Sequence, residues 1–277
     1  MKLMPVVAGQ FYPGKPKELQ KALELFGEGK PSRLSGEPVA LLLPHAGYPY
    51  SGAVAALGYR ALPKDIDTVV VAGPSHYVPF KGVSLFAGES ALTPLGELSV
   101  DQEACRFLMD FSPHIVEMPP VFAREHSVEV HLPMIQTYLP KAKVVPIVMG
   151  QGIPQAVKPL AEALLALRQK KEFLFVASSD LSHYPQYETA VKADKAFLSA
   201  LLTGDERQVD LVDKETMAQH YPDYYCTHCG REPVSTLIRY AKGVGADRTQ
   251  LLEYRNSGDV TGDRSRVVGY GAVAFCR

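Results

Sequence analysis

Val39-Ala-Leu-Leu-Leu-Pro44-His45-Ala-Gly-Tyr48 is the stretch that decides the fold. Its opening five apolar residues, with no polar interruption, read as a strand covered on both faces, as in a parallel sheet between helix layers. The Pro-His-Ala-Gly turn then puts an imidazole at the strand's carboxyl end. Pro and Gly around it fix a tight turn and let a ligand approach the backbone. The grammar recurs in Thr68-Val-Val-Val-Ala-Gly73-Pro-Ser75-His76-Tyr77 and in Phe173-Leu-Phe-Val-Ala-Ser178-Ser-Asp180-Leu-Ser-His183-Tyr184. In an open α/β sheet such turns gather at one edge, where ligands bind. Three histidines delivered to that edge can share one pocket.

Outward from these strands, helical and strand patterns alternate. Residues 51–59 read as a helix with Ser51 as N-cap. Residues 83–86 read as a further strand. A helix is expected from Ser99 to about Met109, with Asp101 and Glu103 in a first turn where the dipole favours acid. Residues 127–138 have helical spacing, and Pro133 marks a kink or a late start. Residues 144–149 read as a strand whose Pro146 assigns it to an edge or an irregular pairing. Helices are expected at 154–168, 187–202 (stopped by Gly204), 205–219 and 232–242. Residues 251–256 and 267–275 close the chain as a strand pair. The pattern is that of a three-layer α/β/α sandwich with a mixed, largely buried central sheet.

Composition sets the outer bounds. The chain has 277 residues and 46% apolar content, enough for a substantial core, and no linker or charge block divides it, so residues 1–277 are read as a single domain. Lys+Arg 29 against Asp+Glu 30, with no basic run, gives no signal for nucleic acid or an anionic membrane surface. No apolar run approaches the ~18 residues of a membrane span, and the amino terminus lacks a secretory pattern. Four cysteines do not make a disulfide scaffold in a chain this long. The expectation is a cytoplasmic protein with no nucleic-acid or membrane partner.

Taken singly, each strand-end histidine is equally well a turn residue bonded to backbone; their repetition is what argues for a site. Asp180 and His183 are three apart and would share one face of a helical first turn, where the carboxylate would tune the imidazole as a general base. Cys226-Thr-His-Cys229-Gly-Arg precedes a helix, whose N-terminus would lower the Cys229 thiol pKa; the alternatives are inert thiols or a disulfide. The Glu125-His126-Ser-Val-Glu129-Val-His131 run lacks zincin spacing, and its His126 and Glu129 read as forming hydrogen bonds behind a site or at a helix start. No phosphate-binding glycine loop or serine nucleophile elbow is present.

Together the stretches Ala8-Gly-Gln-Phe11-Tyr-Pro, Pro44-His45-Ala-Gly-Tyr48, Gly73-Pro-Ser75-His76, Thr93-Pro-Leu-Gly, Arg124-Glu-His-Ser-Val-Glu129, Ser178-Ser-Asp-Leu-Ser-His183-Tyr, Cys229-Gly-Arg-Glu-Pro and Gly269-Tyr-Gly-Ala resemble the Memo family. This is the B component of the AmmeMemoRadiSam association, and the resemblance runs nearly end to end. It implies the fold of class III extradiol ring-cleavage dioxygenases, which are non-haem iron enzymes. By motif position it implies His45 and His76 as metal ligands, Cys229 in the place of the glutamate ligand, and His183 in the acid–base place, to which the three-residue spacing adds Asp180. Phe11, Tyr48, Ser75, Tyr77 and His126 are the groups expected to contact a ligand.

A thiolate is softer and more oxidisable than a carboxylate, so this His/His/Cys set suits one ion of iron, copper or zinc, and ring cleavage does not carry over with it. Two functions follow as expectations. One is metal-linked oxidoreductase chemistry on a small molecule. The other is a non-catalytic peptide-binding module, because the resemblance also implies phosphotyrosine-peptide binding in some members.

Overall fold

The continuous apolar runs form the sheet they predict. The computed structural model describes residues 1–277. Its strands are β1 (Lys2–Leu3), β2 (Pro38–Leu43), β3 (Thr68–Pro74), β4 (Val83–Leu85), β5 (Ser90–Thr93), β6 (Gly96–Ser99), β7 (Ile115–Glu117), β8 (Lys143–Met149), β9 (Leu174–Ser178), β10 (Arg248–Asn256) and β11 (Gly269–Cys276). Eight make one mixed sheet in the order β10-β11-β2-β9-β3-β8-β4-β7. Its centre, β2-β9-β3-β8, is parallel throughout. Every residue of β3 and β9 is buried, as a strand sandwiched between helix layers requires.

Two groups of helices flank the centre of the sheet, and Tyr187–Leu201 packs on Glu206–Met217 and on β10 and β11. Pro16–Phe26 and Leu132–Tyr138 pack against Ala53–Arg60, which lies on β2, β10 and β11. Gln102–Phe111 and Arg231–Gly243 flank Lys158–Arg168, and Arg231–Gly243 lies on β2, β3 and β9. A contiguous cluster of 71 buried apolar residues fills the spaces between. This is an α/β fold with a large central sheet flanked by helices. No helix is long and apolar enough to cross a membrane.

Four local expectations are corrected. Ser51 is not an N-cap: the chain makes a wide turn over Tyr48–Gly52 before the helix, and the Ser51 hydroxyl donates back to the Ala46 carbonyl. The helix expected from Ser99 starts at Gln102, because Asp101 rather than Ser99 accepts the Ala104 N–H. Strand β8 is interior, not an edge. Its Pro146 is tolerated because its carbonyl and nitrogen face the β4 side where that three-residue strand has just ended, at the Phe86 N–H. The segment 179–184 is not helical, so Asp180 and His183 share no helix face. The small sheet β1-β5-β6 was not foreseen from the sequence.

Candidate functional site

Adjacent parallel strands end together. Leu43 of β2 pairs with Ser178 of β9, and Ala72 of β3 pairs with Ala177 of β9. The turns after them therefore carry His45, His76 and the Asp180–His183 segment to one edge of the sheet. Two further loops complete the floor. One brings His126; the other brings Cys229, anchored where the Gly230 N–H donates to Ser179 Oγ at 2.8 Å and the Cys229 N–H to the Asp180 carbonyl at 3.3 Å. The resulting cleft has a volume of about 850 Å³. Phe11, His45, His76, His126, Asp180, His183 and Cys229 all line it.

Hydrogen counting fixes the tautomers. Ser178 Oγ lies 2.6 Å from the Ser127 carbonyl, 2.7 Å from His45 Nδ1 and 2.9 Å from His131 Nε2. Its single proton goes to the carbonyl, which can only accept, so both imidazoles must donate to it. His45 thus carries its proton on Nδ1 and presents a lone pair at Nε2. His131 then accepts from the Tyr59 hydroxyl at Nδ1, 3.1 Å away. His76 Nδ1 donates to Glu125 Oε1 at 2.8 Å, and His183 Nδ1 to the Leu181 carbonyl at 2.9 Å. His45, His76 and His183 each donate from Nδ1 and so turn Nε2 to the other side of the ring, where the neutral imidazole has its lone pair, the arrangement that orients imidazoles as ligands or bases.

The Cys229 thiol touches this group through His45: Sγ lies 3.2 Å from Nε2. Burial pushes the thiol pKa well up, with Asp180 and Cys226 adding to the shift. This corrects the expectation of a thiol activated by the helix that follows; loss of water outweighs the helix terminus. The contact is therefore an S–H donating to the His45 lone pair. Two donors bound to one ion at ~2.0–2.1 Å (nitrogen) and ~2.3 Å (sulfur) would stand roughly 3.1–3.6 Å apart for angles near 90–110°, a range that overlaps the length of this S–H···N bond.

The group of donors that lie within 4.8 Å of one another is His45, His76 and His126; Cys229 is not among them and makes its contact with His45 Nε2. Yet the His126 ring is stacked on His76, centroids 4.5 Å apart and planes 19° from parallel. In-plane lone pairs of stacked rings run side by side rather than converging. Phe11 covers the His126 ring at 4.4 Å, and its Nδ1 has no hydrogen-bond partner. Burial, then His76, holds His126 down to about 4. It faces the cleft as a neutral, pre-oriented contact.

The remaining expected residues divide. Asp180 does not pair with His183 as a tuned acid–base couple. Its Oδ1 accepts the backbone N–H groups of His45 (2.7 Å) and Ala46 (3.2 Å), so it holds the first histidine turn in place. Tyr48 is 3% exposed, and its hydroxyl donates to the Val130 carbonyl; it belongs to the core beside the cleft, not to its lining. Ser75 closes its own turn by donating to the Val78 carbonyl. Tyr77 stands outside the cleft, beside His126 and under Arg124. Sequence reasoning missed Glu125, which fixes His76 twice, through backbone N–H (2.6 Å) and ring (2.8 Å). It also missed Ser178. Their signal was a polar residue placed within a buried run or beside a histidine.

Two outcomes follow. Ser178→Ala removes a partner from His45, His131 and Ser127 at once. At about 1–3 kcal/mol for a buried group left unsatisfied, a loss of roughly 2–5 kcal/mol is expected in urea unfolding, where a neutral result would contradict the network. Gly230→Ala would put a Cβ 2.6 Å from Ser179 Cβ and 2.7 Å from the Ser178 carbonyl. The turn must shift and carry Cys229 with it, so the thermal midpoint should fall; an unchanged midpoint would show that the turn is not rigid.

The chain was compared with known proteins. The profile described as "Memo-like protein" matches residues 4–274. A "MEMO1 family protein" of Methanobrevibacter smithii is 36% identical over 285 residues, spanning 98% of each chain. Another, of Methanococcoides burtonii, is 39% identical over 274 residues, spanning 97% of this chain and 98% of the relative. The crystal structure of an uncharacterized Escherichia coli K12 protein superposes with a TM-score of 0.53 at 15% identity, covering 85% of this chain and 99% of that one. At that identity the likeness concerns the fold alone.

Proposed function

The chain belongs to the Memo family, and on that premise we propose that its cleft holds one metal ion through His45 Nε2, His76 Nε2 and Cys229 Sγ and acts on a small molecule bound above it. The observation that carries this is the 3.2 Å between Cys229 Sγ and the unprotonated His45 Nε2. Both are neutral without metal; a cation would displace the thiol proton and take both lone pairs. The donor set fits iron, with copper and zinc as competitors.

When bound, such an ion supplies a redox-active or Lewis-acidic centre. The chain's residues do the rest. Ser178 and Glu125 hold the two ligand imidazoles in the binding tautomer. His183, with Nδ1 tied to the Leu181 carbonyl, offers Nε2 as a proton acceptor at the cleft wall. Phe11 and His126 form a flat side against which a planar ligand can lie. With Cys229 in place of a carboxylate, the oxygen-donor set associated with ring cleavage is not reproduced.

Anaerobic Fe(II) loading tests the reading. One metal per chain is expected, and a His183→Ala variant should keep that metal while losing the roughly 10²–10⁴-fold that an acid–base group contributes to any turnover found. A chain that takes up no metal contradicts the proposal. A second reading, a peptide-binding cleft without catalysis, is favoured by Tyr225, 74% exposed at the rim. Peptide affinity indifferent to metal would select it.

A further inference from the structure

The cleft is far larger than an ion needs, and one of its walls carries an unpaired cation. We infer that the mouth of the cleft is a subsite for a small organic anion, held by the Arg266 guanidinium beside the face of Tyr184. This rests on the proposed metal centre only for the position of the ligand's other end.

Arg266 lines the same cleft as His45, His76 and Cys229. Its guanidinium stands 5.0 Å from the centre of the Tyr184 ring and enters no ion pair or hydrogen bond within the protein. Two acids share the cleft: Asp180 Oδ1 accepts two backbone N–H groups, and Asp263 Oδ1 accepts the N–H and hydroxyl of Ser265. Neither acid pairs with Arg266, whose five N–H donors stay free for a ligand. A guanidinium presents paired donors that match two oxygens of a carboxylate or phosphate.

The mount is rigid. The Tyr184 N–H donates to the Val267 carbonyl at 2.7 Å, the Val267 N–H to the Pro185 carbonyl at 2.9 Å, and the Gly269 N–H to the Ser182 carbonyl at 2.9 Å. His183 pairs with Val268 in the same ladder. The ladder that sets His183 at the floor therefore also sets Tyr184 and Arg266 at the mouth, at a fixed spacing. Tyr184 has φ +70°, a conformation that bulky L residues rarely adopt and that persists where surrounding contacts impose it. Its ring is 42% exposed, and Tyr50 and Tyr225 expose further aromatic surface in the same cleft. Flat apolar walls with one fork-shaped cation suit a planar organic acid or its phosphorylated counterpart.

The test titrates the full chain by calorimetry with benzoate, phenyl phosphate and benzyl alcohol, and measures metal content on the same samples. At least one anion is expected to bind about tenfold or more tightly than the alcohol, as a charge-assisted pair implies. Arg266→Gln should bring all three within about twofold of one another, and Arg266→Lys should recover part of the preference. Which anion binds more tightly distinguishes carboxylate from phosphate ligands. Equal binding of charged and neutral probes, an undiminished preference in Arg266→Gln, or no binding of any probe overturns the inference. Loss of metal with the anion preference intact would count against the floor instead.

Discussion

Cys229→Ser is expected to lower metal affinity by more than about 100-fold, whereas His126→Ala should cost about tenfold or less. Changing a partner that only orients a ligand typically costs 10–100-fold, and removing a donor should exceed that. Cys229 Sγ and His45 Nε2 stand 3.2 Å apart, as two donors on one ion would. His126 sits close by, but its plane lies alongside His76 rather than pointing at a common centre. The contrast is informative because proximity alone would select the three imidazoles. Competition against a chelator of known affinity under anaerobic conditions reads both variants. Equal losses, or a larger loss for His126→Ala, would move the centre to the three-imidazole set.

The second large effect is acid sensitivity of the metal-free protein. Burial holds four imidazoles below their ordinary value: His126 and His228 at about 4, His131 at about 3, and His45 well down. The unfolded chain protonates the same groups near 6.5. Below that pH it takes up protons that the folded state refuses, so the stability these groups contribute is full above about 6.5 and is lost as pH falls. Three buried carboxyls oppose the trend. Burial raises Asp180 and Glu129 and brings Asp194 up to about 6, so the folded state binds protons on them before the unfolded chain does. The net difference is roughly one to three protons, or about 1.5–4 kcal/mol per pH unit between about 6.5 and 4.5. Urea midpoints across that window should fall steadily. A flat profile would mean that the buried histidines accept protons in the native state.

Much of the architecture is local in origin and was therefore legible. Residues 39–43, 69–72 and 173–177 are apolar at every position, and only a strand buried on both faces requires that. Their histidine turns converge because neighbouring parallel strands end at one edge. What escaped reading is non-local. Asp180 looked like a partner for His183 three residues on, yet its carboxylate serves backbone amides 134 and 135 residues away. Glu125, near a helix start in sequence, is the anchor of His76. Tyr48 carries the same motif signal as His45 but opens the wide turn over Tyr48–Gly52 and points into the core. Pro146 reads as a marker of an edge or an irregular pairing; the strand is interior, and the irregularity is that β4, only three residues long, ends opposite it. The membership of Arg266 in the cleft depends on how the strand β11 pairs with the segment after β9, which no single stretch encodes.

The ligand set itself is open to direct reading. X-ray absorption at the iron edge of protein loaded anaerobically with Fe(II) should require one sulfur scatterer near 2.3 Å and two imidazole nitrogens near 2.0–2.1 Å. The sulfur should vanish in Cys229→Ser. A shell of nitrogen and oxygen alone, unchanged by that substitution, would contradict the account.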